Sequence, residues 1–256
     1  MIALEAVSCT FDRAGADPVH AVRALSLDVA PRETLALLGP SGCGKTTTLR
    51  LINRLIDPSA GRIVVDGVDA ATVDPVRLRR RMGYVVQTGG LFPHMTVRQN
   101  IGLLCRLEGW STTRTRSRVD ELLQLVGLEA RAMVDRYPAE LSGGQRQRVG
   151  VARALALDPD ILLLDEPFGA LDPITRHRLQ EEFKAIERLV NKTMVFVSHD
   201  LEEAFLLADR VALLKDGRLV QVGTPDELRE RPADSWVTRF LTSRPGADAP
   251  PDRGDA

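Results

Sequence analysis

Nine consecutive residues constrain this chain more than any other stretch: Gly39, Pro40, Ser41, Gly42, Cys43, Gly44, Lys45, Thr46 and Thr47. They follow the apolar run Leu35–Leu38, which reads as a strand, and precede Leu49, Ile52 and Ile56 on one helical face. A helix over Lys45–Ile56, stopped by Asp57 and Pro58, is therefore predicted directly after the loop. In that setting the glycines let successive backbone N–H groups curl around phosphate oxygens, and the helix N-terminus adds a favourable dipole. Lys45 can reach the terminal phosphates, and the Thr46 hydroxyl can hold Mg²⁺. A dinucleotide fold would want glycine where Thr47 stands, although Asp66 ends a strand at about the spacing of a ribose-binding acid. A serine hydrolase would want glycine where Cys43 stands.

Further apolar runs at Ile63–Val65, Tyr84–Val86, Ile161–Leu164, Met194–Val197 and Val211–Leu214 read as strands, with helical patterns between most of them. Runs without alternation imply strands covered on both faces, hence a largely parallel α/β sheet. A helix is expected over Pro173–Val190 with Asp172 as its N-cap and Pro173 at its first position. Between about Thr96 and Leu157 the strand signal vanishes and Leu-rich patterns such as Val119–Val126 predict an all-helical insertion. Residues 243–256 hold almost nothing to bury and are expected to be disordered, leaving 1–242 as the folded unit.

Asp165 and Glu166 stand where the buried run Ile161–Leu164 ends, the position at which parallel sheets bind ligands. Asp165 would hold Mg²⁺ through water. Pro167 biases Glu166 toward an extended backbone, which would aim its carboxylate, as general base, at the water attacking a terminal phosphate. Ser142, Gly143, Gly144 and Gln145 have the form of a capping box, yet paired glycines weaken a helix start and Arg146 and Arg148 add positive charge at its positive end. An anion on those N–H groups would remove the conflict, so a second phosphate site is expected there.

The bulk numbers bound the rest. With 256 residues and 44% apolar content the chain can bury one sizeable core, and a net charge of −1 gives no field that would gather nucleic acid. Cys9, Cys43 and Cys105 are odd in number and show no ligand spacing, which points to a reducing compartment and no structural metal. The apolar runs are too short to cross a bilayer, so a membrane link would go through another protein. Arg77, Arg79, Arg80 and Arg81 read as a solvated helix face.

Taken in order, these elements over about residues 2–240 resemble the ABC ATPase family, of which the sequence Leu141–Gln145 is a hallmark. The resemblance implies an α/β P-loop NTPase, RecA-like fold: a mostly parallel sheet core, an inserted helical subdomain at about 96–157, and a small antiparallel β part near the N-terminus. It implies ATP and Mg²⁺ as ligands and a head-to-tail homodimer, in which the 142–145 segment of one copy faces the phosphate loop of the other. Phe11 matches the aromatic that stacks on adenine. Gln87 matches the glutamine that senses metal and water and touches the membrane partner; Asp172 matches the loop crossing the dimer interface; His199 matches the histidine contacting the γ phosphate. Lys45, Gln87, Glu166 and His199 are then the catalytic set, and Thr46, Gln87 and Asp165 the metal set.

The stretches 51–61, 82–101 and 171–176 look most like ATPases of bacterial osmoprotectant importers for glycine betaine, choline or carnitine. That likeness implies transmembrane permease subunits as partners, an extracytoplasmic substrate-binding protein as an indirect one, no nucleic acid, and a place on the cytoplasmic side of the plasma membrane. Regulation through paired CBS domains is not expected from these 256 residues. An importer of amino acids or another small solute, and a non-transport ABC ATPase in lipid trafficking or cell division, differ through the partner and stay open at this point. A different P-loop NTPase, a switch or a kinase, would lack the 141–145 segment.

Overall fold

The computed structural model describes residues 1–13, 15–87, 90–169 and 173–242. In chain order it contains β1 (Ile2–Arg13), β2 (Ala16–Val29), β3 (Thr34–Leu38), α1 (Lys45–Ile52), β4 (Ala60–Val65), β5 (Val68–Asp69), α2 (Pro75–Arg80) and β6 (Met82–Val85). The helical stretch follows: α3 (Val97–Ile101), α4 (Leu103–Leu107), α5 (Thr112–Leu125), α6 (Ala130–Met133) and α7 (Gly143–Ala154). Then come β7 (Ile161–Asp165), α8 (Pro173–Val190), β8 (Thr193–Val197), α9 (Leu201–Leu207), β9 (Arg210–Lys215), β10 (Arg218–Gly223), α10 (Pro225–Glu230) and α11 (Ser235–Thr242).

The main sheet has the order β10-β9-β3-β8-β7-β6. Its neighbours β9, β3, β8, β7 and β6 run parallel, and only β10 is antiparallel, on β9. Both faces are covered, which is why these strands read as unbroken apolar runs. On β3, Leu35 and Leu37 enter one core with α1 and the N-terminal sheet, while Ala36 and Leu38 enter the other with the helical stretch. Alternation is present, but both alternating sets are buried.

A second, antiparallel sheet has the order β2-β1-β4-β5. The run Ile63–Val65 lies here, in β4, and not in the parallel sheet that its apolar character suggested. Asp66 and Gly67 form the β4–β5 turn with φ of 52° and 76°, and Arg81 pairs with the Asp66 carboxylate at 2.8 Å. A ribose-binding role for Asp66 is thereby excluded, because its place is a hairpin turn.

The first helix ends at Ile52, not Ile56. Arg54 turns left-handed, with φ of 49°, and its guanidinium bonds the carbonyls of Ala70 at 2.9 Å and Val73 at 2.6 Å. That tertiary anchor stops the helix before the proline can. The 77–81 run is also more engaged than a solvated face: Leu78 is buried, Arg80 pairs with Glu108 at 2.7 Å, and Arg79 reaches the Arg54 carbonyl at 3.3 Å. The helix predicted over Pro173–Val190 is found with those bounds, whereas its expected cap, Asp172, and the 243–256 tail lie outside the described residues. Among the described residues no helix is long and apolar enough to cross a membrane.

Candidate functional site

The loop after β3 is pressed between neighbouring backbones. Gly39 has φ of 149°, and a Cβ there would stand 2.1 Å from the Leu214 carbonyl oxygen of β9; at Gly44, with φ of 101°, a Cβ would stand 2.3 Å from that of Ala21 in β2. Only glycine fits either position. Gly44 is also the N-cap of α1, with no side-chain cap and no acidic residue in the first turn, so the helix presents its N-terminal N–H groups uncompensated. Lys45 is buried, and its ammonium donates to the carbonyls of Gly39 at 2.6 Å and Pro40 at 2.9 Å, which places a positive charge over the loop. Cys43 turns its thiol into the core, where burial raises its pKa, so only its backbone can meet a ligand.

Acidic groups arrive from the next strands. Asp165 ends β7, is buried, and accepts from the Thr46 hydroxyl at 2.9 Å. Glu166 follows with φ of 45°. This corrects the expectation of an extended backbone there: its N–H is held by the Val197 carbonyl at 3.1 Å, and its own carbonyl accepts from Gly169 N–H at 3.2 Å. Those bonds override the steric preference that Pro167 imposes, leaving a strained residue at the site. The Glu166 carboxylate accepts from Gln87 Nε2 at 2.7 Å, and His199 Nδ1, just past β8, stands 3.5 Å from the same oxygen.

The result is a cavity of about 390 Å³ lined by Ser41, Gly42, Gly44, Lys45, Thr46, Thr47, Glu166 and His199. A neighbouring cleft of about 510 Å³ is lined by Arg50, Leu55, Ile56, Tyr84, Val86, Gln87 and Asp165. Burial first, and then the Asp165 charge, push the Tyr84 phenol up to about 12, against the pull of Arg50. Arg50 and Tyr84 carried no sequence signal of their own; they come to the cleft because α1 and β6 flank Asp165. Chemically, the site offers oriented backbone donors and a fixed cation for a polyphosphate, with a carboxylate and an imidazole at its far end. The Thr46 hydroxyl beside the Asp165 carboxylate, with the Gln87 amide nearby, is an all-oxygen donor set that fits Mg²⁺.

Of the other predicted residues, Ser142–Gln145 and Phe11 do not line these cavities, and Asp172 is outside the described residues. Ser142 Oγ accepts from Gln145 N–H at 3.2 Å and Gln145 Oε1 from Ser142 N–H at 2.9 Å, so the capping box is complete within the chain. Arg146 donates to the Leu141 carbonyl at 2.8 Å and Arg148 pairs with Glu182, so both arginines have structural partners as well as any ligand role. None of Ser142–Gln145 lines either cavity, and neither does Phe11, which is 42% exposed on β1. One copy thus gathers the loop, Asp165, Glu166, Gln87 and His199, while the α7 start and Phe11 line neither cavity.

Residues 22–169 match the family described as ABC transporter. The chain is 57% identical over 221 residues to the glycine betaine/carnitine/choline transport ATP-binding protein OpuCA of Bacillus subtilis (strain 168), covering 86% of this chain and 58% of that protein. It is 54% identical over 241 residues to the choline transport ATP-binding protein OpuBA of the same organism, covering 94% of this chain and 62% of the other. The chain thus spans about three-fifths of the length of these relatives. Its fold matches the dimeric structure of a post-hydrolysis state of the ATP-binding cassette MJ0796 bound to ADP and Pi, with a TM-score of 0.78, 33% identity, and coverage of 88% of this chain and 98% of that one.

Proposed function

This chain belongs to the ABC transporter family, and from that membership we propose that it is the ATP-binding and ATP-hydrolysing subunit of an importer for osmoprotectant quaternary amines such as glycine betaine, choline or carnitine. The observation that carries the hydrolytic half is the meeting of Lys45, Thr46, Asp165, Glu166, Gln87 and His199 at one end of the parallel sheet. The triphosphate lies along Gly39–Thr47, with N–H groups of the loop and α1 on its oxygens, and Lys45 exchanges its two carbonyl partners for the β and γ phosphates. Thr46, Asp165 and Gln87 hold Mg²⁺, which when bound offsets charge on the phosphate oxygens.

Glu166 takes the proton of the attacking water, oriented by Gln87, and His199 donates to the γ phosphate. Ser142, Gly143, Gly144 and Gln145 of a second copy close over that phosphate, Phe11 stacks on adenine, and Asp172 crosses the interface. The paired glycines at the start of α7, with no acidic residue in its first turn, and the absence of Ser142–Gln145 from the lining of its own chain's cavity support this head-to-tail pairing. The substrate class rests on the similarity to the glycine betaine/carnitine/choline and choline transport ATP-binding proteins; permease subunits as partners, an extracytoplasmic binding protein beyond them, and a place at the cytoplasmic face of the plasma membrane follow from the importer reading.

Uptake by the complex reconstituted with its permease tests the reading. ATP-dependent accumulation of a quaternary amine is expected; transport of another solute, with none of any quaternary amine, would overturn the import assignment.

A further inference from the structure

The loop carrying His199 is flanked by a buried polar cluster that the hydrolytic chemistry does not use. Glu203, in the first turn of α9, is 4% exposed, and Gln180, facing it from α8, is 6% exposed. Gln180 Nε2 donates to Glu203 Oε2 at 3.3 Å, while Oε1 has no hydrogen-bond partner among the described residues. Asp200 caps the same helix, accepting from Glu202 N–H at 2.9 Å and Glu203 N–H at 3.2 Å, and Arg176 of α8 lies 3.7 Å from it. Ser198 completes the loop: its Oγ accepts from Asp200 N–H at 2.9 Å, and its N–H donates to the Leu37 carbonyl at 3.2 Å. His199 is the residue between these two anchored neighbours.

A carboxyl removed from water beside another carboxylate resists ionisation. Burial, then the Asp200 charge, raise Glu203 to about 7, against the pull of Ser198, Gln180 and Arg176. Among the described residues, Glu202 on α9 and Lys184 on α8 are further charged groups of these two helices, the latter held by the Leu206 carbonyl at 2.7 Å; β3, which α9 also packs against, has no titratable side chain. In either protonation state Glu203 Oε2 accepts from Gln180, which links α9 to α8. Ionised, it repels the carboxylate that caps its own helix.

We propose that Glu203 is a positioning residue for ATP hydrolysis, which through Gln180 and the Asp200 cap seats α9 on α8 and so holds His199 against Glu166. This rests on the ATPase reading of the site. The test compares kcat, KM and binding of a fluorescent ATP analogue in wild type, Glu203→Gln and Glu203→Ala from about pH 6 to 9. Glu203→Ala is expected to lower kcat about tenfold or more with KM changed less than about threefold. Glu203→Gln, which keeps the neutral form at every pH, is expected to stay within about twofold of wild type near pH 6 and to lose the part of the alkaline fall in kcat that Glu203 causes. Any fall that remains belongs to His199 and the other titrating groups.

Superimposable profiles for Glu203→Gln and wild type would overturn the positioning role, as would wild-type kcat in a folded Glu203→Ala protein. If Glu203→Ala does not fold, the Gln profile decides alone. A wild type that binds the analogue but never hydrolyses ATP, even with its membrane partner, would instead overturn the ATPase reading, and the positioning role with it.

Discussion

Glu166 shows how a single side chain is placed by neighbours distant in sequence. Its carboxylate is held by Gln87 from beyond β6 and approached by His199 from beyond β8, while its backbone is bent into a left-handed turn. Replacing it with Gln removes the base and keeps the shape. Glu166→Gln is expected to bind ATP within about threefold of wild type and to hydrolyse it at least about a hundredfold more slowly, as read by nucleotide binding and single-turnover assays. Near-normal turnover would remove Glu166 from its role. Gly44 makes a complementary case: Gly44→Ala forces a Cβ against the Ala21 carbonyl at a positive φ, and is expected to cost about 2 kcal/mol or more in chemical unfolding and to weaken ATP binding.

The helices carry their own consequences. In α7 the reciprocal bonds between Ser142 and Gln145 satisfy two backbone donors, so Ser142→Ala is expected to cost about 1 kcal/mol in urea unfolding even without nucleotide. In α9 the buried Glu203 works in the opposite direction. Its pKa is raised from 4.5 to about 7, so its neutral form is favoured in the folded state. Stability attributable to this group is therefore full below about pH 4.5 and is lost as pH rises through about 7, a span worth roughly 3 kcal/mol. Glu203→Gln is expected to be more stable than wild type near pH 8 and no more stable near pH 4, measured by unfolding midpoints across that range. Equal midpoints at pH 8 would show that the carboxyl is not penalised in the fold.

The assembled molecule is incomplete as a catalyst if each site needs two copies. Lys45→Ala disables the loop and Ser142→Arg disables the α7 start, so each variant alone is expected to be inactive while Ser142→Arg still binds ATP. Mixed together, half of the dimers would join the two variants and contain one intact composite site. Recovery of up to about a quarter of the wild-type rate is expected if sites act independently. No recovery on mixing, or full-rate hydrolysis by a lone copy, would sink the paired arrangement.

Local chemistry made part of this protein readable from its residues alone. The Gly39–Thr47 loop, the acids ending β7 and the box at Ser142 each depend on a few consecutive residues, and the apolar runs of the parallel strands follow from burial on both faces. The strands β1 and β2 gave no comparable signal of their own, because register shifts between Leu4 and Cys9 and left-handed Ala6 and Ala24 interrupt the alternation that marks a half-buried strand. Folding alone decided which acids share a cavity, that Glu166 is turned against its proline, and that Glu203 is buried beside Asp200. Each of those outcomes depends on contacts between elements far apart in sequence, which a local pattern of residues does not encode.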